Sequence, residues 1–172
     1  MIFFWIVAPI ILIFGFVVFW GAPYVPSKRR EVREAFEKLY PLSSGDVLVD
    51  IGSGDGIVLR EASKKGARAV GFELNPLLVL ISKFLSRRNG LVVTRLANFW
   101  HSSLPEDTTV VYTFGESRDI VRMAKKVAKE AIRLNREVAF ISYAFKVPGE
   151  VPVKAIETHF LYMYKPLQTK KA

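Results

Sequence analysis

A chain of 172 residues that is 51% hydrophobic and 24% charged has the size of one compact domain and too much apolar character for a disordered one. It contains no cysteine, which excludes disulfides, thiolate metal sites and cysteine nucleophiles, and with two histidines and no HExxH pattern no metal site is expected. The formal net charge of +9 points to an anionic partner without choosing among nucleic acid, lipid and acidic protein.

Ile2 to Trp20 is uncharged and apolar except for Pro9 and Gly15. At about 1.5 Å per residue such a run spans about 28 Å, close to a bilayer's hydrocarbon core. Trp5 and Trp20 lie toward its ends, where interfacial aromatics belong. A cleaved signal peptide would need a basic start and a small-residue cleavage site, and Gly21-Ala22-Pro23-Tyr24 is a poor one. The expectation is therefore one transmembrane helix over 2–20. Lys28, Arg29, Arg30 and Arg33 follow the run and nothing basic precedes it. This places residues 21–172 in the cytoplasm of a single-pass membrane protein, with an anionic lipid surface as partner to the basic cluster.

Residues 21–45 read as a linker and an N-terminal helix, capped by Ser27, with Val32, Ala35, Phe36 and Leu39 at helical spacing and a break at Pro41 to Gly45. The domain proper, 46–172, opens with the apolar run Asp46 to Ile51, suited to a buried strand that leads into a glycine loop. A helix from Gly56 to Lys65, a strand from Arg68 to Leu74 and a helix from Pro76 to Arg88 follow, then strands at Leu91 to Leu96 and Thr108 to Phe114. Ser117 to Leu134 has the longest helical period, Glu137 to Phe145 is a fifth strand, and the tail holds short extended pieces at Val153–Thr158 and Phe160–Tyr164. Alternating strands and helices predict an α/β, Rossmann-like parallel sheet with helices on both faces.

The loop Asp50-Ile51-Gly52-Ser53-Gly54-Asp55-Gly56 carries the chemistry. Its glycines permit tight turning and close approach of a ligand to bare backbone. The spacing is GxGxG and no GK[ST] follows, so neither a dinucleotide fingerprint nor a P-loop fits. Asp50 and Asp55 would repel a pyrophosphate and favour a cationic ligand. S-adenosylmethionine, with an ammonium, a sulfonium and no phosphate, suits the loop better than NAD. Glu73 ends the second strand, where a carboxylate accepts both ribose hydroxyls. Asn98 follows the third strand as a partner for the adenine edge, with Phe99 or Trp100 covering its face.

DIGSGDG followed by GFELNP resembles the first two motifs of class I S-adenosylmethionine-dependent methyltransferases. With Tyr24-Val25-Pro26-Ser27 upstream and Asn98-Phe99-Trp100 downstream, the chain is similar to a narrower family. These are the membrane-associated lysine methyltransferases acting on the adenine nucleotide translocase and the ATP synthase c-subunit, with their prokaryotic relatives. The resemblance implies S-adenosylmethionine as cofactor, held by Asp50, Gly52, Ser53, Gly54, Asp55, Gly56, Glu73, Asn75, Asn98 and Phe99. It leads one to expect Asp where this chain has Asn98. It implies a membrane-protein lysine as methyl acceptor. Read from their positions, Tyr24, Trp100, Tyr112 and Glu116 are candidates for lining the acceptor site, Glu116 following the fourth strand either to bind the incoming ammonium or take its proton or as a helix-start acid favoured by the macrodipole. A nucleic-acid partner is not expected, because Arg118, Arg122, Lys125, Lys126, Lys129 and Arg133 spread around one helix without interleaved aromatics. A lipid or small-molecule methyltransferase and a non-catalytic, membrane-tethered cofactor-binding protein are the alternative readings.

Overall fold

A computed structural model describes residues 27–115 and 117–166. The sheet has seven strands: β1 (Val47–Ile51), β2 (Arg68–Glu73), β3 (Val92–Leu96), β4 (Val110–Thr113), β5 (Val138–Tyr143), β6 (Lys154–Ile156) and β7 (His159–Tyr164). Their order is β3-β2-β1-β4-β5-β7-β6. The first five are parallel, and β7 runs antiparallel to both β5 and β6. The expected all-parallel sheet is therefore mixed: the two extended tail pieces form a hairpin whose second strand inserts beside β5.

Four α-helices are described: α1 (Arg29–Glu34), α2 (Ile57–Ser63), α3 (Pro76–Leu85) and α4 (Ile120–Arg133). A π-helical turn over Ala35–Leu39 continues α1, where the periodicity predicts plain α-helix. Ser27 is not its cap; Lys28 stands there and makes no side-chain capping bond. One face of the sheet packs Val32, Phe36, Leu39 and Leu59 against Leu48, Val110, Tyr112 and Ile141. The other packs Ile120, Ala124, Val127 and Ala131 of α4 against Val49, Val70, Val111 and Phe140. Strands β1, β4 and β5 are buried along their whole length, which is why they read as mainly apolar runs and not as alternating ones.

The architecture is Rossmann-like, and the transmembrane helix expected in front of it is corrected. Among the described residues no helix is long and apolar enough to cross a membrane. The longest, α4, has 14 residues and carries Arg122, Lys125, Lys126, Lys129, Glu130 and Arg133, whereas a span needs about 20 predominantly apolar ones. Segment 2–20, on which the expectation rested, lies outside the described residues. The single-pass placement with a cytoplasmic domain depended on that helix and falls with it.

Candidate active site

The strand order reverses between β1 and β4, and in open α/β sheets ligands bind in the crevice beyond the C-terminal strand ends at such a point. Asp50 sits there, in register with Gly71 of β2 on one side and Tyr112 of β4 on the other. It is only 3% exposed. Burial, then the negative charges of Glu73 and Asp55, push its carboxyl well above the usual carboxylate range. No cation pairs with it among the described residues.

The loop after β1 is pinned from below. Gly52 and Ser53 donate their backbone N–H groups to the Phe72 carbonyl at 2.9 and 3.2 Å. Gly54 donates to Glu73 Oε2 at 2.8 Å, and Asn75 donates its backbone N–H to Glu73 Oε1, also at 2.8 Å. Glu73 thus clamps the loop to the end of β2 while keeping a lone pair on each oxygen. Gly52 has φ +73°, and a Cβ built on it meets nothing within 4 Å, so its backbone faces open space. At Gly71 the reverse holds. A Cβ there would overlap the Ser53 hydroxyl and lie 2.6 Å from Ser53 Cβ and 2.8 Å from Leu59 Cδ1. The bare backbone of Gly71 is what lets the loop fold down onto β2.

Two observations test the loop as a seat for S-adenosylmethionine. The buried Ser53 hydroxyl has no hydrogen-bond partner among the described residues, and such orphans call for a ligand or water. Asp50 is a carboxyl whose ionised form lacks a counter-charge, which a cationic ligand group would supply. Both fit.

The remaining predicted residues take definite places. Asp55 does not present a bare charge: its Oδ1 accepts the Ile57 N–H at 3.1 Å, and Arg60 pairs with its Oδ2 at 3.0 Å and also donates to its carbonyl. Asn75 caps α3, accepting the Leu77 N–H at 3.0 Å. Asn98 accepts the Trp100 N–H through Oδ1 at 2.9 Å and opens a 3-10 turn over Phe99–His101. Phe99 is buried against Phe72, with its ring 6.4 Å away, and the Trp100 ring lies under the Arg122 guanidinium at 4.0 Å. Tyr24 and Glu116 lie outside the described residues.

Tyr112 belongs to a buried polar cluster that motif reading does not reveal. Its hydroxyl is 3.0 Å from His159 Nε2, and His159 stacks on Tyr143 at 4.5 Å between ring centroids. Tyr143 in turn donates to Glu31 at 2.6 Å. Burial lowers His159 to about 4, so it is neutral at physiological pH. The partners come from opposite ends of the chain, and only the insertion of β7 brings them together. Among the described residues no cluster of His, Asp and Glu could hold a metal ion.

Residues 50–154 match the family described as the ANTKMT methyltransferase domain. An ATP synthase c-subunit lysine N-methyltransferase of Rattus norvegicus is 38% identical over 86% of this chain and 69% of its own length. The protein of the same description from Xenopus laevis is 36% identical over 76% of this chain and 56% of its own length, so the chain spans little more than half of that relative. The crystal structure of an RNA methyltransferase from Salinibacter ruber in complex with S-adenosyl-L-homocysteine superposes with a TM-score of 0.75 and 24% identity. The superposition covers 86% of this chain and 98% of that one, a likeness of fold.

Proposed function

The chain belongs to the family of ANTKMT methyltransferase domains, and on that premise we propose that it transfers a methyl group from S-adenosylmethionine to a lysine of a membrane protein, as the relatives' description, ATP synthase c-subunit lysine N-methyltransferase, suggests. The observation that carries the reading is the buried Asp50, raised well above the usual carboxylate range, beneath a glycine loop open to a ligand at Gly52. A phosphate-bearing cofactor would add charge of the wrong sign there.

When bound, S-adenosylmethionine supplies a methyl group on a positively charged sulfur. Asp50 gains a counter-charge from the ligand's cationic part and so ionises. Glu73 accepts the ribose hydroxyls with the lone pairs left free by Gly54 and Asn75. Gly52 gives the ligand room at bare backbone, Ser53 and Gly54 hold the loop in place through their N–H bonds to Phe72 and Glu73, Asp55 and Gly56 set the turn into α2, and Asn98 and Phe99 flank the adenine. Of the acceptor-side candidates, Trp100 is the one among the described residues, held under the Arg122 guanidinium. The lysine must arrive neutral, although with a pKa of about 10.4 only about one in a few thousand is so at pH 7. Holding the amine away from water and in line with the methyl carbon raises that fraction and lowers the barrier. An amine so held would take the methyl group that the bound sulfonium supplies, a C–N bond replacing the C–S bond, and would release its proton to solvent.

The test is transfer of labelled methyl from S-adenosylmethionine by the full chain into a membrane preparation containing ATP synthase. Label is expected on a lysine of a membrane protein. Label recovered only in extracted lipid would overturn the acceptor, and tighter binding of NAD than of S-adenosylmethionine in calorimetry would overturn the cofactor.

A further inference from the structure

Helix α3 turns its most apolar side outward. Its inward face is Val79 and Ser82, with Ser86 just beyond. The Ser82 hydroxyl is 2.7 Å from Thr94 Oγ1 of β3, and a Cβ on Gly56 would lie 3.2 Å from Ser82 Cβ, so this side is packed down. At about 100° per residue, Leu77, Leu80, Ile81, Phe84 and Leu85 fall on the opposite side. Their spacing is that of a buried stripe, yet they are 37–65% exposed. Leu74, just before the helix, and Leu96, at the end of the edge strand β3, are also exposed. A contiguous apolar surface of this kind marks a contact with a membrane or a partner.

Charge selects between them. From Pro76 to Leu96 the chain holds Lys83, Arg87, Arg88 and Arg95 and no acidic residue. Arg87 places its guanidinium 4.4 Å over the Phe84 ring and donates to the Phe84 carbonyl at 2.9 Å, so a cation edges the stripe itself. The basic cluster at α1 differs, for three of its cations, the cap residue Lys28 with Arg30 and Arg33, are ion-paired with Glu31, Glu34 and Glu61. A second copy docked on α3 would set these cations against their own equivalents. An anionic headgroup plane satisfies the stripe and its cations together.

We propose that α3 is a lipid-docking helix, lying in the plane of an anionic bilayer with its stripe about 5–10 Å into the headgroup and acyl boundary and its cations on the phosphates. The docking stands on α3 and β3 alone. Its use rests on the function proposed above: α3 begins three residues after Glu73, so docking holds the strand-end site at the bilayer surface, where a membrane-protein lysine emerges.

The absence of native cysteine gives a clean experiment. Leu80→Cys in the full chain carries an environment-sensitive fluorophore, with Phe84→Cys as a second position and Ile132→Cys, exposed on α4, as control. On vesicles of phosphatidylcholine and phosphatidylglycerol, labels at 80 and 84 should brighten several-fold, shift to the blue and be quenched by spin-labelled lipid, while the label at 132 stays as in water. Raised salt, or Lys83→Gln with Arg87→Gln and Arg88→Gln, should reduce the effect. Labels at 80 and 84 that stay in water while the chain floats with the vesicles would overturn the proposal. So would equal shielding on phosphatidylcholine alone. Shielding in buffer without vesicles would also overturn it, assigning the stripe to a second copy if it grows with protein concentration and to another part of the chain if it does not. S-adenosylhomocysteine binding, measured on the same labelled chains, separates failure of docking from failure of the methyltransferase reading.

Discussion

Glu73→Gln is the sharpest probe of the glycine loop, because an isosteric change there is not a conservative one. Glu73 accepts a backbone N–H on each oxygen, from Gly54 and from Asn75, both at 2.8 Å. A glutamine offers one acceptor oxygen and one NH2 donor, so one of the two N–H groups would face another donor. Keeping the oxygen on the buried Gly54 leaves the half-buried Asn75 N–H without its charged acceptor, a loss of about 1–3 kcal/mol. The lost charge also relieves repulsion at Asp50. That relief is smaller, because burial, which the substitution leaves unchanged, is the larger cause of the Asp50 shift. At roughly 2–4 °C per kcal/mol for a chain of this size, the ligand-free variant should melt several degrees below wild type. Glu73→Ala, which abandons both N–H groups, should fall further and bind S-adenosylhomocysteine about 1–3 kcal/mol more weakly. Thermal unfolding with and without S-adenosylhomocysteine measures both effects. A Glu73→Gln protein that melts with or above wild type would refute the clamp.

Asp50→Asn should act oppositely in the two states, raising the melting temperature of the ligand-free protein at neutral pH while weakening S-adenosylhomocysteine binding in calorimetry. A carboxyl whose folded value is raised costs stability as pH rises through that value, so the variant's gain should vanish below about pH 4. Gly71→Ala should cost about 1–3 kcal/mol by overpacking Ser53 and Leu59, read from the urea midpoint, and Ser53→Gly in the same chain should recover part of it. His159, lowered to about 4 by burial, binds fewer protons folded than unfolded, so it contributes stability above about pH 6.5 that is lost as pH falls toward 4. The loss approaches about 3 kcal/mol, and urea unfolding at pH 7.5 and 4.5 should show a smaller difference in His159→Gln than in wild type.

How far the fold shows in the sequence depends on what each element packs against. Strands β1, β4 and β5 are covered on both faces and announce themselves as mainly apolar runs without alternation. The hairpin of β6 and β7 was visible as two extended pieces, but its antiparallel insertion beside β5 was not, since pairing partners leave no local pattern. The π-helical turn after α1 was hidden for another reason: Ala35, Phe36 and Leu39 face the core in either helix geometry, so periodicity does not separate them. In α3 the more apolar side faces outward and the side with Ser82 packs down, the reverse of what hydropathy alone would assign. At the site, loop and acid were legible as a motif. The Tyr112–His159 bond was not, because it joins residues 47 apart in sequence.

The acids around the loop show why a charge pattern in a sequence is weaker than the same pattern in space. Read along the chain, Asp50, Asp55 and Glu73 are three equal reasons to expect a cationic ligand. Folded, they have three different fates. Asp55 is neutralised by Arg60, itself part of α2 and only five residues away, and its oxygens are used in starting that helix. Glu73 spends one lone pair of each oxygen on the backbone, which leaves it an acceptor for hydroxyls more than an attractor of charge. Asp50 alone among them has burial without compensation. The preference for a sulfonium and ammonium ligand over a pyrophosphate therefore falls mainly on one carboxyl. The two variants should then fail differently: Asp50→Asn by relaxing discrimination by charge, and Glu73→Gln by loosening the loop that any ligand must use.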